Sequence, residues 1–539
     1  MSSASYLGGT IGLPNPALRL VLSQLAGIPL GIYYRRAFYN QSPTKQQWFF
    51  TITGVGLFLC NYGWSTIHSM ISVFVAYLLC KVAGGSVFSV VFAYVFYMSY
   101  LIAGYHYNMS ETYDLSWTMP QCVLTLRLIG LMLDVYDGGQ PESKLSEYQK
   151  KAAIKDKPNL LEVAAYSYFY GSSLVGPQVS GLNCKVGGSA KGIHNVVWQQ
   201  LQSLSCAMVR LCVILHQQRV HTAFLVDCFA KSEKQYPLNR LRQLINGEYS
   251  KPGTKEPPDS VIPAMGRLLP GLAFAVGHAI LHPRWPTELC LTEEFATYSF
   301  WERSWYIIVW FRFIIMRYQA VWLIAEGVCI LSGLGHNIHP KTGEQLWDGV
   351  RNFRLSKFEL SATFQGIIES FNYNTNQWAL NYCFKRLRFL GNKNLSHVLT
   401  LAFLALWHGT NSGYFVCFLF EYICVIAERQ MKYVVHRETY IKEWLSVPVV
   451  SVFSWFVQKL FVLYCCAFGF LPFSLLTYKK WWKAYSRLYF AGWLGLGVFW
   501  PLAFSWYKKS IVRTESVKKD QLVRPSNTKQ WNGVVAKEE

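Results

Sequence analysis

The stretch Phe371-Asn372-Tyr373-Asn374-Thr375-Asn376-Gln377-Trp378, followed by the basic turn Lys385-Arg386-Leu387-Arg388 and an apolar run ending Trp407-His408-Gly409, decides how this chain is read. Residues 399–406 are nearly continuously apolar, which predicts a helix that carries His408 to bilayer depth. An ionisable side chain is costly there and marks a functional candidate. Desolvation disfavours the imidazolium, and a neutral imidazole accepts a proton, so His408 is a candidate general base. The competing reading is a core histidine hydrogen-bonded to a neighbouring helix. Gly409 and Gly413 weigh against it, because they leave backbone room beside the ring for another chain or a ligand. Trp407 and Tyr414 add large aromatic walls.

Outward from that stretch, the chain is 539 residues long with 52% hydrophobic and 16% aromatic residues. Its mean hydropathy is +0.17. A bilayer span needs about 17 to 25 mostly apolar residues. Candidate runs recur at 16–34, 48–60, 67–82, 86–102, 122–133, 261–281, 306–331, 399–426, 447–473 and 490–504. The fold class expected is therefore all-α, a polytopic membrane helix bundle of about ten or eleven spans.

Lys and Arg exceed Asp and Glu by 51 − 30 = 21. In a soluble chain that balance would suggest nucleic acid. Here the basic residues lie in short clusters between apolar runs: Arg35-Arg36, Lys150-Lys151, Lys385-Arg386, Lys479-Lys480 and Lys508-Lys509. Such clusters suit loop orientation and anionic headgroups, so the expected partner is the lipid bilayer and not nucleic acid. The 14 cysteines sit mostly inside apolar runs with no paired CxxC spacing, and read as small hydrophobes. His278 and His282 share a helical face at i, i+4, but no carboxylate or thiolate accompanies them, and His216 and His221 do not match HExxH. No metal is expected.

Five regions follow. Residues 1–14 are small and Gly-rich, a mobile N-terminal tail without the basic and small-residue features of a cleaved signal, so the first span is expected to stay as an anchor. Residues 15–178 hold membrane helices, with Arg127 inside an apolar run as a second buried charge. Its alternatives are snorkelling and ligand contact. The same region ends in Tyr166-Ser167-Tyr168-Phe169-Tyr170-Gly171 and Val175-Gly176-Pro177-Gln178, whose aromatic and Gly/Pro character predicts re-entrant backbone lining a cavity.

Residues 179–231 are an atypical insertion without a face to bury. Gln178-Val179-Ser180 can be encoded CAG-GTA-AGT, the sense of a splice donor, and 224–231 by a T-rich tract ending in AG, so a translated intron is one expectation. Residues 232–507 form the catalytic membrane core, with Glu326 as a third intramembrane charge and His336, His339 and Trp347-Asp348 in a Gly-containing loop. Residues 508–539 are expected to form a basic cytosolic tail. Sequons stand at Asn40, Asn108 and Asn394, and matter only where the loop faces the lumen.

Trp407-His408-Gly409 with Gly413-Tyr414, preceded by the Asn372 segment, resembles the signature of the membrane-bound O-acyltransferase family. Trp117-Thr118-Met119-Pro120, residues 122–130, Tyr168-Phe169-Tyr170-Gly171, Val175-Gly176-Pro177-Gln178, Glu326-Gly327-Val328-Cys329 and Phe389-Leu390-Gly391-Asn392-Lys393 are similar to its lysophospholipid acyltransferase branch. The resemblance covers about 18–509 and departs at 179–231. It implies a helical bundle enclosing a substrate tunnel in the endoplasmic reticulum membrane, with acyl-CoA as co-substrate, lysophospholipid as acceptor and no bound cofactor. His408 matches the family's histidine and Asn372 its second catalytic position. Asn372 is read as orienting the imidazole or the hydroxyl, or as stabilising charge on the thioester oxygen. Substrate-contact candidates are Trp347, Asp348, Trp378, Trp407, Tyr414, Tyr168, Gln178 and Arg127. Two alternatives stand beside this: a protein O-acyltransferase of the same family, and a transporter using Arg127, Glu326 and His408 as a polar pathway.

Overall fold

A computed structural model of the chain describes residues 15–108, 116–176, 237–251, 253–338 and 343–523. Gln178 and the 179–231 insertion, with His216, His221 and His339, lie outside the described residues. The described chain is helical almost throughout. Its one pair of strands is the two-residue antiparallel hairpin Asn337–Ile338 with Gln345–Leu346.

Seven helices among the described residues are long and apolar enough to cross a bilayer, fewer than the ten apolar runs suggest. The 43–83 segment takes in two of the runs, the 490–504 run is divided between Trp493–Phe499 and Trp500–Val523, and the central stretch is broken. The 399–426 run is not one span but two helices, Lys393–His408 and Ser412–Arg437, because Gly409 between them adopts φ +139°, a conformation open to glycine alone. Upstream, Pro43–Tyr62 and Thr66–Ala83 are joined through a short 3-10 turn at Gly63–Ser65.

Phe300–Leu331 is the axis of the molecule. Ser299 and Glu302 close a capping box at its start: the Ser299 hydroxyl accepts from the Glu302 N–H at 3.3 Å and Glu302 Oε2 accepts from the Ser299 N–H at 2.7 Å. Its 32 residues give it a length of about 48 Å, more than the hydrocarbon thickness. Its stretch from Ile307 to Trp322 packs Ile307, Trp310, Phe311 and Trp322 into one core with Phe420, Phe468 and Tyr485. Its last third packs Ile324, Val328 and Leu331 into a second core built on residues 20–174 together with Trp378 and Trp407. The helix therefore ties two hydrophobic bodies together.

Val261–Leu281 lies along this axis through small residues. A Cβ at Gly271 would stand 2.9 Å from Ile324 Cγ1, and one at Gly327 would stand 2.6 Å from Leu268 Cγ. Each glycine receives a neighbour's side chain, the packing by which helices associate where lipid removes the hydrophobic drive. The basic turn after the Asn-rich stretch is anchored too: Arg386 Nη1 donates to Asp137 Oδ1 at 2.8 Å, and the Tyr382 hydroxyl donates to Asp134 Oδ1 at 2.8 Å.

Candidate active site

His408 is the last residue of its helix, and its position is set by its neighbours in sequence. Trp407 is held at both ends. Its Nε1–H donates to the Cys122 carbonyl at 2.8 Å, and its own carbonyl accepts from the Tyr105 hydroxyl at 2.9 Å. Gly409 turns the chain immediately afterwards, and a Cβ there would stand 3.0 Å from Tyr414 Cε2. At Gly413 a Cβ would overlap the Pro472 carbonyl oxygen, while the Gly413 N–H donates to the Leu476 carbonyl at 2.9 Å. The room these glycines provide is used by Tyr414 and by the end of the Pro448–Leu475 helix.

The imidazole stands in an aromatic cage. Its ring centre lies 5.0 Å from Phe473, 5.6 Å from Phe418 in a stacked arrangement, and 5.7 Å from Tyr414. Among the described residues nothing hydrogen-bonds either ring nitrogen. His408 is half-buried.

His408 lines a cavity of about 220 Å³, and Asn372 lines the same cavity. The walls are mainly aromatic and aliphatic, with Phe311, Tyr318, Trp322, Phe371, Phe418 and Phe470 among them. Asn372 sits in the left-handed region at φ 46°, ψ 44° as the residue before the short helix Tyr373–Trp378. Asparagine is one of the few side chains that tolerates that conformation. Its Oδ1 accepts from Asn352 Nδ2 at 3.3 Å.

The remaining candidates separate into neighbours of His408 and residues far from it. Trp407 and Tyr414 wall the imidazole through ring contacts. Trp378 is 1% exposed and packs on Phe403 and Tyr382, and is not among the cavity residues. Tyr168 bonds Ser69 through its hydroxyl at 2.8 Å and packs on Phe58, so the broken aromatic segment is buried in protein but does not line the His408 cavity. Trp347 packs against the ring of His336, and Asp348 accepts from Asn337 Nδ2 at 3.0 Å; neither reaches the cavity. His336 itself, in the same loop, is pushed down to about 4 by burial and by the Arg240 guanidinium.

Arg127 neither snorkels nor faces the cavity. It is 2% exposed, and it donates to the carbonyls of Tyr166, Ser167 and Ser172 at 3.3, 3.3 and 2.6 Å and to the Ser172 hydroxyl at 2.7 Å. A planar fork with several donors suits a bend that presents several carbonyls to one point. Glu326 is also buried, with Oε1 accepting the N–H groups of Asn352 and Phe353. Among the described residues, neither Arg127 nor Glu326 lines the His408 cavity that the transporter alternative would need them to share. His278 and His282 stand 4.7 Å apart ring to ring, His278 Nδ1 bonds the Phe313 carbonyl, and no metal-binding cluster occurs among the described residues.

Two residues were not anticipated. Asn352, the partner of Asn372, carries no signal in an isolated sequence. Glu421 lines the cavity with His408 and could have been found by the rule that singled out Glu326, a carboxylate within an apolar run.

The membrane-bound O-acyltransferase family model matches residues 91–185 and 234–467. A lysophospholipid acyltransferase 5 of Homo sapiens is 36% identical over 519 residues, 96% of this chain and 94% of that protein. One of Caenorhabditis elegans is 35% identical over 503 residues, 93% and 94% of the two chains. A lysophospholipid acyltransferase of Schizosaccharomyces pombe is 27% identical over 389 residues, 71% and 65% of the two. The matched residues include His408, Asn372 and most of the cavity wall; the protein belongs to the membrane-bound O-acyltransferase family.

Proposed function

We propose that this protein transfers a fatty acyl group from acyl-CoA to the free hydroxyl of a lysophospholipid, with lysophosphatidylcholine foremost, in the endoplasmic reticulum membrane. The observation that carries the reading is that His408 and Asn372, on separate elements, line one largely apolar cavity while the imidazole nitrogens are left without a protein partner. The relatives' names supply the substrate class.

In this reading an unprotonated nitrogen of His408 takes the proton of the lysophospholipid hydroxyl as its oxygen bonds to the thioester carbonyl carbon. The carbon–sulfur bond then breaks, and the proton held on His408 goes to the departing thiolate. Asn372 meets the reacting groups in the same cavity. The apolar walls take the acyl chain and exclude water, which favours the lipid hydroxyl over hydrolysis. Holding both substrates together supplies the proximity term.

The test is acyl transfer by purified protein across a panel of lysophospholipids and acyl-CoAs, with a Ser peptide as the competing acceptor. Transfer to lysophosphatidylcholine is expected. Transfer to the peptide alone would favour the protein O-acyltransferase, and no transfer to any lipid would refute the reading. Co-fractionation with endoplasmic reticulum membranes tests the compartment.

A further inference from the structure

Asn372 offers its cavity one kind of hydrogen bond, and the reason lies behind the cavity wall. The Asn374 N–H sits 3.0 Å from Asn352 Oδ1. A backbone N–H only donates, so that atom of Asn352 is its carbonyl oxygen and the opposite end of the amide is the NH2. The Asn352 NH2 then donates to Asn372 across 3.3 Å, which makes the receiving atom Asn372 Oδ1. With Oδ1 engaged, Nδ2 is the end left over. No described residue accepts from it, and Asn372 lines the cavity.

Asn352 has little freedom to turn. It is 2% exposed, and its carbonyl accepts from the Tyr373 N–H at 2.9 Å. Its N–H and that of Phe353 both donate to Glu326 Oε1, at 2.6 and 2.7 Å. Glu326 is fully buried on the axial helix, with Oε2 3.6 Å from Arg267 Nε. A buried carboxylate with two backbone donors and a guanidinium nearby is a rigid clamp.

We propose that Asn352, clamped by Glu326, is a positioning residue that fixes the Asn372 amide with its NH2 toward the cavity, so that the group met there is a hydrogen-bond acceptor, the carbonyl oxygen of the acyl thioester. This rests on the acyl-transfer reading of the cavity. As the hydroxyl oxygen bonds to the carbonyl carbon, the carbonyl oxygen gains negative charge; it loses that charge when the carbon–sulfur bond breaks. Asn372 donates throughout and exchanges no proton. A donor placed in advance for that oxygen acts on the transition state more than on the bound substrate.

Two acyl-CoA analogues separate the inference from the activity: a ketone in which a methylene group stands between sulfur and carbonyl, and an alkyl thioether that lacks the carbonyl. The full-length protein should bind the ketone about tenfold more tightly, the worth of one good hydrogen bond. Asn352→Asp still accepts from the Asn374 N–H, but its second oxygen cannot donate and turns the Asn372 NH2 away from the cavity. It should abolish the preference, as should Asn372→Asp, and both should lower kcat roughly 100-fold with little change in KM. If Asn352→Asp does not fold, Asn352→Ser, which keeps an acceptor but is too short to hold Asn372, should weaken the preference. Equal binding of the two analogues by the wild type, or an undiminished preference in a folded Asn352 variant, would overturn the inference. Because binding is read without turnover, an absence of acyl transfer would instead count against the proposed function.

Discussion

Trp407 Nε1–H donates to the carbonyl of Cys122 at 2.8 Å, linking the residue before His408 to the Thr118–Gly138 helix. The bond joins two parts of the sequence that carry separate family-like blocks, and it sets the angle at which the end of the His408 helix meets the cavity. Trp407→Phe keeps the ring and removes the donor, leaving a buried carbonyl less satisfied. The variant should lose about 1 kcal/mol of stability, and kcat should fall roughly tenfold as His408 loses its aim. Thermal unfolding in detergent and single-turnover rates check both.

His408→Ala removes the proposed base without adding a charge at bilayer depth. Acyl transfer should fall by at least roughly 100-fold, while expression and membrane insertion stay near the wild-type level. Substantial transfer by well-folded variant protein would remove His408 from the mechanism.

Asn372 holds φ 46°, so Asn372→Gly deletes the side chain and relieves backbone strain in one step. Stability should change by no more than about 1 kcal/mol, whereas the rate should drop by the roughly 3 to 4 kcal/mol associated with a lost transition-state donor. Equal losses of stability and rate would mean that the position is architectural. Unfolding curves read beside kcat decide the matter.

Arg127→Ala leaves the carbonyls of Tyr166, Ser167 and Ser172 without their shared donor. The expected cost is about 3 kcal/mol of stability, seen as lower yield and an earlier melting transition. The rate per folded molecule should be unchanged, because Arg127 is not a cavity residue. A selective rise in KM for lysophospholipid would instead return Arg127 to the substrate path.

The family match stops at residue 185 and resumes at 234. Deleting 179–231, which joins Gln178 to Ser232, should raise expression and preserve or increase acyl transfer. Sequencing transcripts across the Gln178 codon tests the origin of the segment. Loss of activity in the deletion protein, or no shorter spliced form, would count against a translated intron.

The sequence by itself determined that the chain spans a membrane, because uninterrupted apolar runs have no other stable environment at this length. It also marked the two residues of the central stretch, because the order Trp407-His408-Gly409 and the Asn372 segment is local and an imidazole in an apolar run is visible without knowing its neighbours; the break at Gly409 within the 399–426 run came only with the structure. What surrounds those residues was decided only by tertiary structure. Whether Arg127 meets substrate or backbone depends on a bend at 166–172, and the Trp347-Asp348 pair falls in a loop that packs elsewhere. Asn352 emerges only when its amide bridges Asn374 and Asn372. The physical reason is the same in each case. Apolar burial leaves a periodic trace along the chain, whereas a hydrogen bond between distant polar groups is defined by two directions in space and leaves none.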